Sequence, residues 1–592
     1  FTSLTFLTLS AATAAANYQP DSLSSVDNVL DVTLTVDMVT SLNGTRTAPG
    51  YNGSPVGPTL RVKPGDLLKV TLINNLDPVS DLDKELYAYT KDYSADAVNR
   101  TIILNRLDSI GNIYNATHGY WGLNYMNLHF HGATFDPEIE NTRDAIDGGG
   151  ESITYTFEIP EDQAPGLCWY HNHFHGTAQY SMLSGLYGFL VIEGTNDDIT
   201  AVPEIAQATE QFLMLGETLT IPETTIPMPF FPVVMEFSWE AVTNGHLGPA
   251  YELTYSKGET VLFRAASASV EPAYELTIDG HMVVPVAYDG YPVTSINEEP
   301  TVTVHAGSRA EFMVKFDTPG TYEIRRAAWN AMIDGIEMCT AVFGIPLEAC
   351  ISFDKEVVVA TIVVEDVTDG LMLSYPPEEL PGYNSHLIEL ANQPSIKTRQ
   401  VGLDQAHHYP IFQIPYDGPF VPPGTGFGIN ELLFDTAYVH DEIEAGSCET
   451  WELTTNNPGV GHTFHIHSVP FLVLQTDGVE LGKPAWRDTF PVYFNATIHV
   501  CFPKHDGYLN VHCHMPSHQD IGMAGYYQVV RKETNTPTKA PASELISSLP
   551  TTSPVTSPPT KAPVSDDTSA AVLPNSNRML SFFVASIVFL VY

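Results

Sequence analysis

The sequence predicts an all-β chain of three tandem Greek-key β-sandwiches. Three observations carry that prediction: a strand, Gly turn, strand unit recurs at domain scale, helical periodicity is scarce, and turn residues punctuate the chain throughout. The first copy of the unit runs from Pro58 through Gly65 to Val70, the second from Tyr251 through Gly258 to Phe263, and the third from Tyr438 through Gly446 to Leu453. The three glycines are spaced at about 190 residues, the period of a whole domain. Asn52-Gly53 and Asn244-Gly245 precede the first two copies at similar distance. The expected sandwiches cover 17–198, 205–350 and 395–532, with a Pro-rich connector over 351–394.

The ends read differently. Residues 1–16 are apolar and then Ala-rich, with Ala14 and Ala16 satisfying an A-x-A cleavage rule, so they are expected to be a signal peptide. Residues 533–578 are dense in Ser, Thr and Pro, a composition that cannot bury enough apolar surface to fold, and form a stalk. The tail 579–592 is apolar. Small residues at Ser569, Ala570 and Ala571 followed by a polar spacer fit a GPI-attachment signal, with a C-terminal membrane anchor as the competing reading. Sequons at Asn43, Asn52, Asn99, Asn115 and Asn495 agree with a secreted, glycosylated chain held at the cell surface.

Composition narrows the partners. Against 70 acidic residues stand 26 Lys and Arg, a formal charge of −44, which repels polyphosphate and excludes nucleic acid. A hydrophobic content of 43% excludes a mostly disordered chain, and contact with a membrane is expected only through the C-terminal anchor. Of the six cysteines, Cys339 with Cys350 and Cys448 with Cys501 are the preferred pairs among the connectivities the sequence allows. Cys168 is then a buried thiol.

Ten of the 21 histidines fall into four groups: His129 and His131; His171 and His173; His462, His465 and His467; and His512, His514 and His518. Side chains alternate along a strand, so His at i and i+2 project to one side and can ligate one metal cluster. The same alternation sends Cys513 to the side opposite His512 and His514. Cys513, His518 five positions on, Met523 five further, and a histidine such as His462 from another strand make the thiolate, imidazole and weak thioether set of a blue-copper site. A structural zinc site would need more thiolates in short C-x-x-C pairs and leaves the remaining histidines unexplained. His175, two past His173, is expected to support the loop.

At these residues the chain resembles the multicopper oxidases. The resemblance rests on the histidine groups, on Tyr51-Asn52-Gly53 with Pro64-Gly65-Asp66, on Cys168-Trp169-Tyr170-His171-Asn172-His173-Phe174-His175-Gly176, which is similar to the bacterial branch, and on Trp486-Arg487-Asp488-Thr489. It implies cupredoxin-like domains and four coppers. His462, Cys513 and His518 would bind a type 1 copper with Met523 axial, and His129 and His465 a type 2 copper. His131, His171 and His514 would hold one copper of the type 3 pair, and His173, His467 and His512 the other. The second domain would be a spacer. In bacterial relatives a Glu follows the histidine matching His518; here it is Gln519, so Asp520 and Asp147 are the expected proton-handling carboxylates.

The expected activity is laccase-like: one-electron oxidation of phenols or similar small donors coupled to four-electron reduction of O2 to water. A metal oxidase for Fe(II), Mn(II) or Cu(I) is the alternative, with an iron transporter as partner if Fe(II) is the donor. The 14 Met form no Met-rich insert, which argues against Cu(I). A non-catalytic cupredoxin-type surface protein is the remote third reading, and a complete ligand set argues against it.

Overall fold

The computed structural model describes residues 17–532 apart from 42–45, 80–123 (Lys84 excepted), 195, 221–237, 272, 329–354, 368–369, 372, 378–379, 381, 407–425, 437, 457–460 and 521. The expected signal peptide, stalk, tail, Cys339–Cys350 pair and sequons at Asn43, Asn99 and Asn115 lie outside the described residues.

Six sheets pair into three sandwiches. In each, two strands that are distant in sequence run parallel and the next pairs antiparallel. Val29–Ser41 lies parallel to Leu67–Asn74, which pairs with Glu151–Glu158. Thr209–Thr220 and Glu259–Ser267 repeat this with Arg309–Phe316, and Ser395–Ala406 and Cys448–Thr454 repeat it with Asn495–Cys501. The chain crosses between sheets at the glycine turns read from the sequence, and all three adopt positive φ (Gly65 85°, Gly258 86°, Gly446 71°), a conformation that a Cβ disfavours. Asn52 and Asn244 hold the preceding turns in the left-handed region, and Asn430 does the same in the third sandwich. Each Asn side chain accepts a backbone N–H, from Thr35, Met214 and Gly402 respectively. The third copy escapes a search for Asn-Gly because Glu431 follows Asn430.

The cores follow from period-2 alternation. Leu67–Asn74 buries Leu68, Val70, Leu72 and Asn74 and turns the intervening residues outward. The second sandwich is larger than its expected limit of 350: Val357–Glu365 pairs with Glu252–Ser256 and Gly320–Arg326 and completes its sheet. This β-branched run is flanked by prolines and so reads as part of the connector, but its burial belongs to the second core. The connector also contains the helix Ser385–Asn392, capped by Asn384, whose Leu387 packs with Trp486 of the third sandwich. A further apolar seam joins the first two sandwiches through Leu167, Trp169 and Phe189 against Phe212, Met214 and Ala266. No helix among the described residues is long and apolar enough to cross a membrane.

Candidate metal centres

Two antiparallel strand pairs build the histidine constellation. In the first sandwich His129–His131 pairs with Gly166–His171, placing His129 opposite His171. In the third, His462–Ile466 pairs with Gly507–Cys513, placing His465 opposite His512 and Phe464 opposite Cys513. Alternation puts His465 and His512 on one face. Cys513 goes to the other face, into the apolar core with Phe464, Met515 and Met523. The loop after His171 is locked by two amides: Asn172 Oδ1 accepts the Asn127 N–H at 2.9 Å, and Asn127 Oδ1 accepts the His173 N–H at 2.8 Å.

The rings converge in groups whose donor atoms all lie within 4.8 Å: His129, His131 and His465; His131, His171 and His514; His173, His467 and His512; and His462, Cys513 and His518. The Nε2 atoms of His173, His467 and His512 stand 3.1, 3.1 and 3.2 Å apart. His131 Nδ1 lies 3.0 Å from His514 Nε2. Carbonyl acceptors assign the proton to the opposite nitrogen in several rings: His512 Nδ1 donates to Cys513 O, His171 Nδ1 to Asn172 O and His465 Nδ1 to Asp488 O. His131 is reversed, with Nε2 held 3.0 Å from Asp488 Oδ1, which leaves Nδ1 facing the cluster.

Burial and mutual repulsion hold these rings neutral. Histidines 129, 131, 173, 465, 467 and 514 are pushed well below the usual imidazole range, first by burial and then by neighbouring charges, chiefly other histidines. Burial also brings His171 down to about 3 and His512 and His518 down to about 4. Lone pairs facing one another in a dry site repel. The Nε2 atoms of His129, His171 and His465 are buried with no hydrogen-bond partner. A cation with bonds of about 2 Å satisfies both conditions at once, and the 3.1–3.2 Å nitrogen triangle has room for one. In the sulfur site His462 Nδ1 is 3.2 Å from His518 Nδ1, Cys513 Sγ is 3.7 Å from His518 Nδ1, and the Thr463 N–H points at Sγ. Burial pushes the Cys513 thiol up to about 12, so a metal must displace its proton to form the thiolate. Met523 is fully buried beside it.

The two carboxylates expected to handle protons both hold backbone amides. Asp147 Oδ1 accepts the Val79 and Gly148 N–H groups and its Oδ2 pairs with Lys84, so it staples a turn. Asp520 accepts the Gly176 and Gln179 N–H groups, both at 2.8 Å, and ties the third sandwich to the first-sandwich loop after His173; burial raises its carboxyl to about 7. Besides Asp488, Glu140 stands against the cluster, with Oε1 3.1 Å from His129 Nδ1 and accepting the Phe130 N–H, and with burial raising its pKa strongly. The long loop after His131 delivers Glu140 there, and no spacing rule marks it. His175 packs its ring on Phe434 and joins none of the groups above. Cys448–Cys501 is a disulfide and Cys168 a buried thiol, both as expected.

Among the described residues, two cavities reach these centres. One is lined by Glu140, Arg143, His467, Tyr508 and Tyr526. The other lies against His462 and is lined by Glu271, His305, Pro491, Tyr493 and Met515. The second-domain residues Glu271 and His305 were not marked by any sequence motif.

Family profiles described as multicopper oxidase match residues 122–197, 218–339 and 408–533, together more than half of the chain. The chain belongs to the multicopper oxidases. Among sequence relatives, Laccase-2 of Pleurotus ostreatus is 24% identical over 66% of this chain and 72% of its own, and Laccase-4 of Trametes villosa is 23% identical over 91% and 97%. Among solved structures, a laccase-like multi-copper oxidase from Ochrobactrum sp. (TM-score 0.60, 18% identity, 86% and 99% covered) and a metallo-oxidase from Campylobacter jejuni (0.61, 19%, 86% and 96%) share the fold. As a multicopper oxidase, the chain is a copper-dependent oxidoreductase that couples oxidation of a reducing substrate to reduction of O2, and its His and Cys groups fit copper.

Proposed function

We propose a laccase-like oxidase that takes electrons singly from a phenolic or similar small donor in the cavity beside His462. The observation that carries this reading is the strand end His512-Cys513-His514. Cys513 lies in the sulfur site, while His512 and His514 belong to two different three-histidine groups. One tripeptide thus joins the site that would accept electrons to the cluster that would spend them four at a time. The ligands are those implied by the sequence: His462, Cys513 and His518 with Met523 for type 1, His129 and His465 for type 2, and the two remaining triads for type 3. Copper supplies the one-electron steps and the O2 chemistry. The protein keeps ten imidazoles neutral and aimed inward, and burial raises the affinity of the Glu140 carboxyl for a proton beside His129, where reduction of O2 to water consumes protons.

A metal oxidase is the second reading. Glu271 and His305 are metal-competent groups facing the same cavity as His462, and the acidic surface favours cations. Steady-state O2 consumption by the purified protein with a phenol, Fe(II), Mn(II) and Cu(I), side by side, separates the two readings. If none of the four donors supports turnover by the copper-loaded protein, both fall. Secretion, N-glycosylation and a GPI-type anchor complete the proposal and rest on residues 1–16, on the sequons and on 533–592. Asn52 and Asn495 use their side chains in local turns. Release of activity from cells by phosphatidylinositol-specific phospholipase C tests the anchor, and an iron-transporter partner follows only if Fe(II) is the donor.

A further inference from the structure

The second sandwich supplies no cluster histidine, yet one of its side chains reaches the cluster's support. Arg309 is fully buried at the start of Arg309–Phe316. Its guanidinium forks onto Asp488 of the third sandwich, with Nη1 to Oδ1 at 2.6 Å and Nη2 to Oδ2 at 2.5 Å. Its Nε donates to Leu167 O of the first sandwich at 2.9 Å, and the remaining N–H groups go to Gly307 O and Asp289 O in its own. All five donors are used, and they span three sandwiches.

Asp488 passes this on. Its Oδ1 lies 3.0 Å from His131 Nε2 and accepts the Thr489 hydroxyl, while its backbone carbonyl accepts from His465 Nδ1. The same segment presses on the cluster from a second direction: Gly307 O accepts the Trp169 indole N–H, and Trp169 stacks on His171 at 4.4 Å. The approach is close enough to require glycine twice. A Cβ on Gly307 would fall 2.4 Å from the His514 ring, and one on Gly132 would fall 2.3 Å from Arg309 Nη2.

We propose that Arg309 is a positioning residue for the three-histidine cluster, orienting Asp488 so that His131 turns Nδ1, alone among the cluster rings, toward the metal. The second domain is then part of the cluster's scaffold rather than a spacer. This rests on the copper assignment above. A point-charge ammonium cannot replace the fork, since one nitrogen cannot reach acceptors on three domains.

The test uses copper-loaded full-length protein challenged with a chelator, with copper per chain and the blue Cys513-dependent absorption followed together. Arg309→Met and Arg309→Lys should each lose cluster copper about 10–100-fold faster than the parent while the blue band persists, because His462, Cys513 and His518 all lie in the third sandwich. Asp488→Asn should show the same loss, and Arg309→Lys combined with Asp488→Asn should be no worse than Asp488→Asn alone. Wild-type retention of cluster copper by Arg309→Lys would overturn the role, as would parallel loss of the blue band or fully additive effects in the double variant. A parent protein that fails to hold copper at the histidine groups would instead sink the copper assignment itself.

Discussion

Cys513 separates colour from fold. Its thiol is buried among apolar side chains and meets the Thr463 and Met515 N–H groups and the His518 ring. Cys513→Ser should therefore fold, because a hydroxyl can accept the same N–H groups, yet abolish both blue absorption and oxidase turnover, because an alcohol is too hard and too basic to replace the thiolate. A copper-loaded wild type without intense visible absorption would refute the site. Met523→Leu is nearly volume-conserving in this core and should raise the type 1 potential, which redox titration of the two proteins measures. Glu271 governs pH. Burial raises its carboxyl from 4.5 to about 7, so it is protonated below that pH and ionised above it. Oxidation of a phenol releases a proton, so kcat/KM for phenols should rise with pH through about 7, and Glu271→Gln should flatten that profile. The stability sign runs the other way. A raised folded pKa means the native state binds the proton more firmly than the unfolded state, so stability falls as pH climbs from 4.5 to about 7, and the Gln variant lacks that slope.

At the scale of elements, the disulfide is the sharpest test. Cys448 and Cys501 are direct cross-strand neighbours, and their bond closes a 53-residue separation that contains His462, His465 and His467. Replacing both with Ser should cost about 3–4 kcal/mol, read as a lower thermal midpoint for the third sandwich, with blue absorption unchanged at 25 °C since the two sulfurs neighbour His499 and belong neither to the sulfur site nor to the three-histidine groups. The elements that carry these groups were legible in the sequence because strand alternation is local: His-x-His and His-Cys-His spacings declare which side chains share a face, and the Gly65, Gly258 and Gly446 turns declare the repeat. What was not legible is whatever depends on loop paths or on packing between domains. Glu140 arrives by a turn of no fixed spacing, Arg309 reads as an ordinary charge opening a strand, and Glu271 and His305 meet His462 only because two sandwiches pack. Asp147, conspicuous in Asp147-Gly148-Gly149, also binds its own turn and Lys84, contacts that the motif does not announce.

The whole molecule adds a field. The formal charge of −44 resides almost entirely in the folded body, because the segment from Glu533 onward offsets Glu533, Glu544, Asp566 and Asp567 with Lys539, Lys561 and Arg578. Donors therefore approach the His462 cavity through a negative potential that attracts cations, excludes anions and is screened over about 10 Å at 0.1 M salt. Rising ionic strength should lower kcat/KM for a cationic donor, raise it for an anionic one and leave a neutral phenol unchanged, with kcat unaffected in all three. A chain cut before Thr534 should show the same three slopes and the same turnover, since it loses neither a copper ligand nor appreciable net charge. Parallel slopes for the cation and the anion would mean that the donor does not meet the surface field, and would move the electron entry point away from the cavity lined by Glu271 and His305.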